Sequence, residues 1–391
     1  MTAVRKDDCT TPAAVLYLAF ELGEGQWKLG FTTGLGQKPR EREVVARAMV
    51  CVEQEIAAAK ERFGLSAETT VVACYEAGRD GFWLHRCLLA LGVQNAIVDS
   101  SSIRVDRRQR RAKTDRLDLH ELLKMLVRWH LGERDVWRVV HVPTVDQEDA
   151  RQLQRELETL RAEQTSHSNR IHSLLVTCGV TLTVNRHFPR RLKELRLWDG
   201  SALPQDLHQR LLREFERMQV VNRQIRALEK QRAQRLRKDD TDVGVVQTRQ
   251  LLQLKGIGVN TGYLYSREIF AWREIRNRRE VGSLVGLVGS PYCSGMLDHE
   301  QGISKAGNRR VRALAIEIAW GWLRLQPQSV LSLWYERRFA HGGKRLRRIG
   351  IVAVARKLLV ALWKYLKTGV PPEGAEVVDW KKKIYDNTPP L

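Results

Sequence analysis

The sequence lacks the features of a membrane protein, a zinc protein or a secreted protein. Its six cysteines are scattered and form no CxxC pair, which argues against a zinc site and against a disulfide framework. No apolar run approaches the ~20 residues that are needed to span a bilayer. The opening segment MTAVRKDDCTTPAA contains no apolar signal-peptide core. We therefore expect a cytoplasmic protein.

Acidic residues are scarce relative to basic ones. The 391 residues include 66 Lys and Arg against 45 Asp and Glu, which gives a net charge of +21 and a pI near 10.1. Such an excess could serve solubility alone. A phosphate backbone is the partner that it favours, because each neutralised phosphate releases condensed counterions. The length exceeds one typical hydrophobic core, so two or three domains are expected.

The first 146 residues alternate short apolar runs with helical stretches, which is typical of an α/β domain. The first two runs are separated by ELGEGQ and could form a hairpin, so we predict a mixed sheet rather than a purely parallel one. Helices are predicted at 41–64, 80–91 and 115–129. The predicted strands are VLYLAF (15–20), WKLGF (27–31), TVVACY (70–75), NAIV (95–98) and WRVVHV (137–142).

Residues 147–243 have the pattern of long helices, and we predict a helical coiled-coil region that joins subunits. Leu153, Leu157 and Leu160 follow a spacing of three and four residues, and a second stretch repeats this pattern near Leu211 and Leu228. Gln164 and His167 interrupt the first seam, so a bundle is equally compatible with the pattern. The two helices could pair within one chain as an antiparallel hairpin, or across subunits.

Residues 244–370 are predicted to form a third, mostly helical domain, followed by an irregular tail over 371–391. In this third domain Gly256 and Gly258 separate two helical segments. A tight turn there could expose N–H groups to a phosphate, or it could be a plain corner between helices. Further helices are predicted at 307–326 and 349–368.

Four carboxylates occur where an α/β domain places catalytic groups, at strand ends and helix starts. Glu21 ends the first strand and Glu76 ends the VVACY strand. Asp115 and Asp118 are three residues apart at a helix start and so share one side of that helix. Their oxygen atoms suit Mg²⁺ or Mn²⁺. The aspartates could instead only favour the positive end of the helix dipole.

Basic residues flank this acidic set and a second, serine-containing segment. The stretch IRVDRRQRRAK (103–113) runs directly into the Asp pair. Ser294 and Gly295 form a predicted turn, and the arginine-rich GISKAGNRRVR follows it. Arginines beside a serine hydroxyl could position a phosphate during nucleophilic attack.

The chain resembles the DEDD transposases of bacterial insertion sequences, which include the Piv DNA invertases and the bridge-RNA-guided recombinases. The resemblance covers nearly the whole chain in order. It rests on YLAFELGEGQWKLGF, VVACYEAGRDGFWLHR, AKTDRLDLHEL, LLQLKGIG, GSPYCSGMLDHEQGISKAGNRRVRALAIE and GIVAVARKLLVALWKYLKTGVPPEGA.

This resemblance implies a RuvC-like, RNase H-type domain, a coiled-coil region and a transposase domain with a catalytic serine. The acidic positions fall on Glu21, Glu76, Asp115 and Asp118, and the nucleophile position falls on Ser294. The family most often has Asp where this chain has Glu21. The nearest alternative nucleophile is Ser304. The resemblance also implies recombination of element and target DNA, Mg²⁺ or Mn²⁺ as cofactor, an element-encoded bridge RNA, a dimer or tetramer, and association with the nucleoid.

Two other functions are compatible with these residues. One is a metal-dependent junction nuclease in which water attacks and Ser294 is structural, and the other is a non-catalytic RNA- or DNA-binding protein. In each case basic side chains should contact phosphates. The predicted contacts are Arg107, Arg108, Arg110, Arg111, Lys113, Lys305, Asn308, Arg309, Arg310, Arg312, Arg345, Arg347 and Arg348, with Arg337, Arg338 and Lys344 beside the last group.

Overall fold

The computed structural model describes residues 14–103, 115–238, 241–294 and 297–386. At residues 101, 115–118, 290–294, 297–301 and 385–386 it describes the backbone alone. The chain divides into two compact units, Met1–Val142 and Pro143–Leu391.

The first unit is built on a five-stranded mixed sheet of order β3-β2-β1-β4-β5. The first three strands are antiparallel neighbours, whereas β4 and β5 run parallel to β1. The predicted hairpin and mixed sheet are therefore confirmed. The strands are β1 (Val15–Leu22), β2 (Gln26–Thr32), β3 (Arg40–Val45), β4 (Thr70–Glu76) and β5 (Gln94–Val98).

The structure corrects two sequence-based assignments in this unit. The stretch 41–64 is not one helix, because its first residues form the edge strand β3 and helix α1 (Met49–Arg62) begins only afterwards. In β3 basic and acidic residues alternate and only Val44 is buried, as suits a strand at a sheet edge. The run 137–142 is not a strand, since only Val139 forms a bridge, to Val98.

Helices cover both faces of the sheet. One face packs Leu16, Leu18 and Phe20 against α1 and α2 (Trp83–Ala90). The other face packs Tyr17 and Ala19 against α3 (Asp115–His130). A helix lies on each face, so β1 is apolar at nearly every position instead of alternating.

The second unit begins with an antiparallel helical hairpin within one chain. After the short α4 (Val145–Asp149), helix α5 (Gln152–Val176) packs along α7 (Gln205–Lys238), and α6 (Phe188–Glu194) lies in the connection between them. The pairing that the sequence left open is therefore intramolecular.

The hairpin has two separate apolar clusters, which we call its base and its tip. The tip contains Ile171, Leu175, Phe188, Leu192, Leu203, Leu211, Phe215 and Met218. The base contains Leu153, Leu157, Leu160, Val221, Ile225 and Leu236, packed with Val245, Leu252, Val259, Tyr263 and Ile384 of the later helices.

The rest of the second unit is a helical core with one small β-hairpin. The elements are α8 (Val243–Leu252), α9 (Val259–Tyr265), α10 (Arg278–Leu284), β6 (Gly289–Ser294), β7 (Leu297–Ile303), α11 (Arg309–Leu325), α12 (Val330–Tyr335), α13 (Lys344–Thr368) and α14 (Trp380–Asp386). Helices α11 and α13 pack around the buried Trp322 and Leu358, and strands β6 and β7 pair antiparallel. Two π-helical turns extend α9 and α12, at Ser266–Phe270 and Glu336–Ala340.

Across the described ranges of the chain, every helix is too short or too polar to cross a bilayer.

Candidate functional site

Two of the predicted acidic residues lie side by side at the carboxyl edge of the sheet. Phe20 of β1 pairs in parallel register with Tyr75 of β4, so Glu21 and Glu76 are the next residues on adjacent strands. Adjacent strands lie about 4.8 Å apart. Side chains alternate between faces, and Ala19 belongs to the α3 face, so Glu21 is on that face two residues later. The same holds for Glu76 after Cys74.

Helix α3 runs antiparallel to β1 and begins at this edge. Its carboxyl end lies beside the start of β1, where Tyr17 Oη and His130 Nδ1 are hydrogen-bonded at 3.0 Å. Nearer its start, Leu119 contacts Gly30, which pairs with Ala19. Four helical residues before Leu119 span about 6 Å, and two strand residues after Ala19 span about 6.6 Å. The first turn of α3, Asp115–Asp118, therefore starts at the level of Glu21.

Gly30 permits this close contact of helix and sheet. A Cβ atom built on Gly30 would lie 2.8 Å from Leu123 Cδ1 and 3.0 Å from Leu119 Cγ. Any larger residue would force these two leucine side chains, or the helix that carries them, to shift. The position of the helix start relative to the sheet edge thus depends on a residue that carries no functional group.

The backbone arrangement brings the four predicted carboxylate positions to one edge of one unit. Glu21 is half-buried and Glu76 is exposed. The side chains of Asp115 and Asp118 lie outside the described residues, and among the side chains that are described no group of three or more His, Cys, Asp or Glu could hold a metal ion. The chemistry of the predicted donors fits a hard divalent cation, because all four are carboxylates.

Ser294 ends β6 at the tip of the β6–β7 hairpin. Its backbone pairs with Leu297, so Gly295 and Met296 alone connect the strands. The Ser–Gly segment thus falls where two antiparallel strands are connected. Ser304 lies at the other end of β7 and is exposed, and its N–H donates to Val288 O at 2.8 Å.

The segment after β7 is fixed by backbone hydrogen bonds to the chain before β6. Lys305 N donates to Gly286 O at 3.1 Å, and Asn308 N donates to Leu284 O at 2.8 Å. This close approach requires glycine at 286, where φ is +66° and a Cβ atom would collide with Ala306 O. Lys305 also has a positive φ, of 57°. The two ends of the serine hairpin are therefore held together.

Asn308 links the start of α11 to a buried ion pair. Its Oδ1 accepts from the N–H groups of Arg310 and Val311 and caps the helix, while its Nδ2 donates to Glu268 Oε2 at 3.1 Å. Glu268 also accepts two hydrogen bonds from Arg155, at 2.8 and 3.0 Å. Burial raises the pKa of Glu268, but the bonds from Arg155 and the charges of Arg155 and Arg151 outweigh it and leave the pKa below its ordinary value.

The predicted phosphate-binding residues occupy different environments. Arg310 donates to Glu158 at 2.9 Å and Arg312 donates to Val285 O at 3.1 Å, so both already have partners within the protein. Lys305 and Arg309 are exposed. Residues Arg345, Arg347 and Arg348 are exposed in the first two turns of α13. Residues Arg107, Arg108, Arg110, Arg111 and Lys113 lie outside the described residues.

One basic cavity was missed by the sequence reasoning. It has a volume of about 1120 Å³ and lies between the hairpin base, α9 and α11. Arg226, Lys230 and Arg237 line it at helical spacings of four and seven, which place them on one face of α7. At its wall the buried Arg232 donates to Gln154 and Asn260. Burial, with the nearby Arg161 charge, lowers the pKa of Arg232 to about 10 and leaves it protonated at neutral pH.

The second unit contains the part of the chain that matches a known family model. Residues 248–332 match the model described as Transposase IS116/IS110/IS902 family. This stretch extends from the middle of α8 into α12 and includes the serine hairpin and the Asn308 cap.

Similar proteins extend the match to almost the full chain. The chain is 38% identical over 388 residues to "Putative transposase y4rJ" of Sinorhizobium fredii, covering 96% of each protein. It is 26% identical over 222 residues to the transposase for insertion sequence element IS1328 of Yersinia enterocolitica, covering 56% of this chain and 63% of that one. A second S. fredii protein, "Putative transposase y4qE", is 28% identical over 254 residues, which are 64% of this chain and 58% of that protein.

Proposed function

Because the chain belongs to the IS116/IS110/IS902 family of insertion-sequence transposases, we propose that it cleaves and rejoins DNA through Ser294 and a carboxylate-bound divalent metal. The observation that carries the metal part of this proposal is the shared sheet edge. Glu21, Glu76 and the first turn of α3 reach it from three elements that are fixed by register and packing. An RNase H-like domain with a mixed sheet is consistent with this placement.

In the proposed reaction the Ser294 hydroxyl attacks a phosphodiester. A bond forms between its Oγ and phosphorus, and the bond from phosphorus to one sugar oxygen breaks. The serine proton passes to solvent, and the departing sugar oxygen takes up a proton. One strand end is then attached covalently to the protein, and attack by the hydroxyl of another strand reverses the step and completes the exchange.

The chain's own groups have distinct tasks in this proposal. Ser294 ends strand β6 next to the two-residue connection of the hairpin, whose ends are held together by the hydrogen bond from Lys305 N to Gly286 O. Glu21, Glu76, Asp115 and Asp118 would hold Mg²⁺ or Mn²⁺. When bound, such an ion supplies a Lewis acid that stabilises negative charge on phosphate oxygens. Lys305 and Arg309 would hold the DNA backbone next to the serine segment.

The element-encoded bridge RNA and the oligomer are part of the same proposal. If a pairing RNA supplies the target sequence, as the resemblance implies, the protein needs to hold little of it, because phosphate contacts give affinity without base identity. Purification at low salt should then yield an RNA of defined sequence. Strand exchange also joins several DNA ends and therefore needs more than one copy of Ser294.

The decisive experiment is a plasmid excision assay on Ser294→Ala, with Ser304→Ala as the matched control. We expect Ser294→Ala to abolish recombination and the slowly migrating protein–DNA adduct on a denaturing gel, while Ser304→Ala retains both. Loss of activity in Ser304→Ala with retention in Ser294→Ala would transfer the nucleophile to Ser304. Metal-dependent cleavage without any adduct would instead establish a water-using nuclease.

A further inference from the structure

A second, smaller cavity combines aromatic and basic side chains on the surface of the second unit. Its volume is about 340 Å³, and its walls are formed by Trp320, Tyr335, Ala340, Lys344, Arg347 and Arg348. The cavity lies where α11, the π-helical turn Glu336–Ala340 and the start of α13 meet. π-helical turns of this kind are frequent at functional sites.

Trp320 is a fixed but accessible ring. Its exposed fraction is 49%, in contrast to Trp322 of the same helix, which is fully buried. The ring of Tyr335 meets it edge-on, with centroids 6.5 Å apart and an interplanar angle of 72°. Tyr335 in turn stacks on Phe339 at 6.0 Å. An aromatic ring supported in this way can receive a planar ligand with little loss of rotational freedom.

The three basic residues of the cavity face it from one side of α13. Lys344, Arg347 and Arg348 are spaced by three and four residues and are exposed. Within the described part of the chain, none of these three residues joins a carboxylate in an ion pair. Their charge is therefore available to an anionic ligand, and no acidic residue lines the cavity.

We propose that this cavity binds one unstacked nucleotide of a single-stranded segment, with the base against Trp320 and the phosphates against Lys344, Arg347 and Arg348. A base can stack on a side chain only when it has left its neighbours, as in single strands, bulges and ends. The volume lies within the range of small-ligand sites and suits one nucleotide. The inference rests on the proposed function only in taking nucleic acid as the ligand.

The test separates stacking from charge in the full-length protein. Fluorescence anisotropy would measure the dissociation constants of fluorescein-labelled 20-nucleotide oligouridylate and oligothymidylate at several KCl concentrations. We expect Trp320→Leu to weaken binding about 10-fold at unchanged salt dependence. The double variant Arg347→Gln with Arg348→Gln should reduce the slope of log K against log salt by about 1.4, since each phosphate contact on a single strand contributes about 0.7.

Three controls test whether the loss of affinity comes from base stacking on Trp320. Trp198 is 93% exposed between α6 and α7, and Trp198→Leu should leave both dissociation constants unchanged. Trp320→Phe should retain most of the affinity, and a 20-base-pair duplex should not distinguish Trp320→Leu from the parent. Equal affinities for Trp320→Leu and Trp198→Leu would overturn the proposal. It would also be overturned if Trp320→Leu changed the sedimentation coefficient of the protein but not its affinity for the oligonucleotides. Preference for one of the two oligonucleotides identifies the ligand as RNA or DNA.

This outcome is independent of the nucleophile. The Ser294→Ala protein should bind both oligonucleotides with parental affinity. If Trp320→Leu weakens binding while Ser294→Ala still recombines DNA, the proposed mechanism fails and the nucleotide site stands.

Discussion

The base and the tip of the α5–α7 hairpin are formed by the same two helices but depend on different parts of the chain. The tip is local, because its apolar cluster draws only on residues between 171 and 218. The base includes residues as distant as Val245 and Ile384. Their buried carboxylates differ in the same way. Glu214 at the tip binds His167, Arg170 and Arg217 of the hairpin itself, whereas Glu268 joins α5 to the cap of α11.

The two ends of this helix pair are therefore stabilised by different parts of the chain. We expect the tip to open alone, because its apolar cluster draws only on the hairpin and its connection. The base cannot open without disturbing the cap of α11, next to the serine hairpin. Four changes test this comparison, in order of decreasing expected effect.

The largest effect is expected for Phe215→Ala at the tip. Phe215 stacks on Phe188 with ring centroids 5.2 Å apart, and its removal should cost the tip about 3–5 kcal/mol. We expect the partly buried Cys178, which packs on the tip cluster, to react faster with a thiol reagent, by as much as about 100-fold where the reaction requires opening of the tip, at about 1.4 kcal/mol per tenfold. The reactivity of Cys51 and Cys87 in the first unit, followed by mass spectrometry in the same sample, should stay unchanged. A parallel rise at Cys51 would mean that the tip does not open alone.

The second effect concerns Glu268 at the base. Glu268→Gln should destabilise the protein by about 3 kcal/mol, at the low end for a broken buried pair because Arg155 keeps some contact with solvent. The double variant Glu268→Leu with Arg155→Met should recover much of this loss, since neither partner then remains buried and charged. Urea unfolding measures both. If Glu268→Gln were as stable as the double variant, the ion pair between Glu268 and Arg155 would not be what stabilises the base.

The third effect is a pH dependence at the tip. Burial raises the pKa of Glu214, but hydrogen bonds from His167 and Arg170 outweigh it and hold the pKa below the ordinary value of 4.5. The depressed pKa contributes stability that is present above pH 4.5 and is lost as the pH falls through the folded value. Thermal unfolding from pH 6 to pH 3.5 should therefore lower the midpoint of the parent by about 2 °C more than that of Glu214→Gln. Parallel curves for the two proteins would contradict this assignment.

The smallest effect lies between the two ends. Gln164 Nε2 donates to Asn222 Oδ1 at 2.6 Å across the hairpin. Gln164→Leu alone should cost about 1 kcal/mol because it leaves Asn222 without this donor, whereas the double variant with Asn222→Leu should be close to neutral. A double-mutant cycle by urea unfolding measures the coupling. Additive losses would show that the two amides do not act as a pair.

Much of the fold followed from apolar patterns in the sequence. Four of the five predicted strands and the mixed sheet are confirmed. The strand β3 was missed because REREVV has the charge of an exposed helix face, and its pairing with β2 is a contact that no local pattern contains. The interruptions at Gln164 and His167 were visible in the sequence. Their partners Asn222 and Glu214 were not, because they depend on the register of α5 against α7.

The candidate site was only partly predictable. The sequence indicated that Asp115 and Asp118 begin a helix, but the direction of that helix over the sheet is set by contacts such as Leu119 with Gly30. Trp320 was missed, although a signal was present. Val311, Ala315, Ala319 and Trp322 form the buried stripe of α11, and Trp320 lies off that stripe, where the core does not require a large aromatic residue.

The absence of a side chain at Gly30 offers a way to change the spacing of the carboxylates without altering their charge. Gly30→Ala adds one methyl group beneath Leu119 and Leu123, on the opposite side of α3 from solvent. Where the two leucine side chains cannot rearrange, the helix must move by a fraction of an ångström, while every proposed metal ligand stays the same residue. A series of residues at position 30 would then vary geometry alone. For the proposed metal site, it would measure how far the first turn of α3 can move from Glu21 and Glu76 before activity is lost.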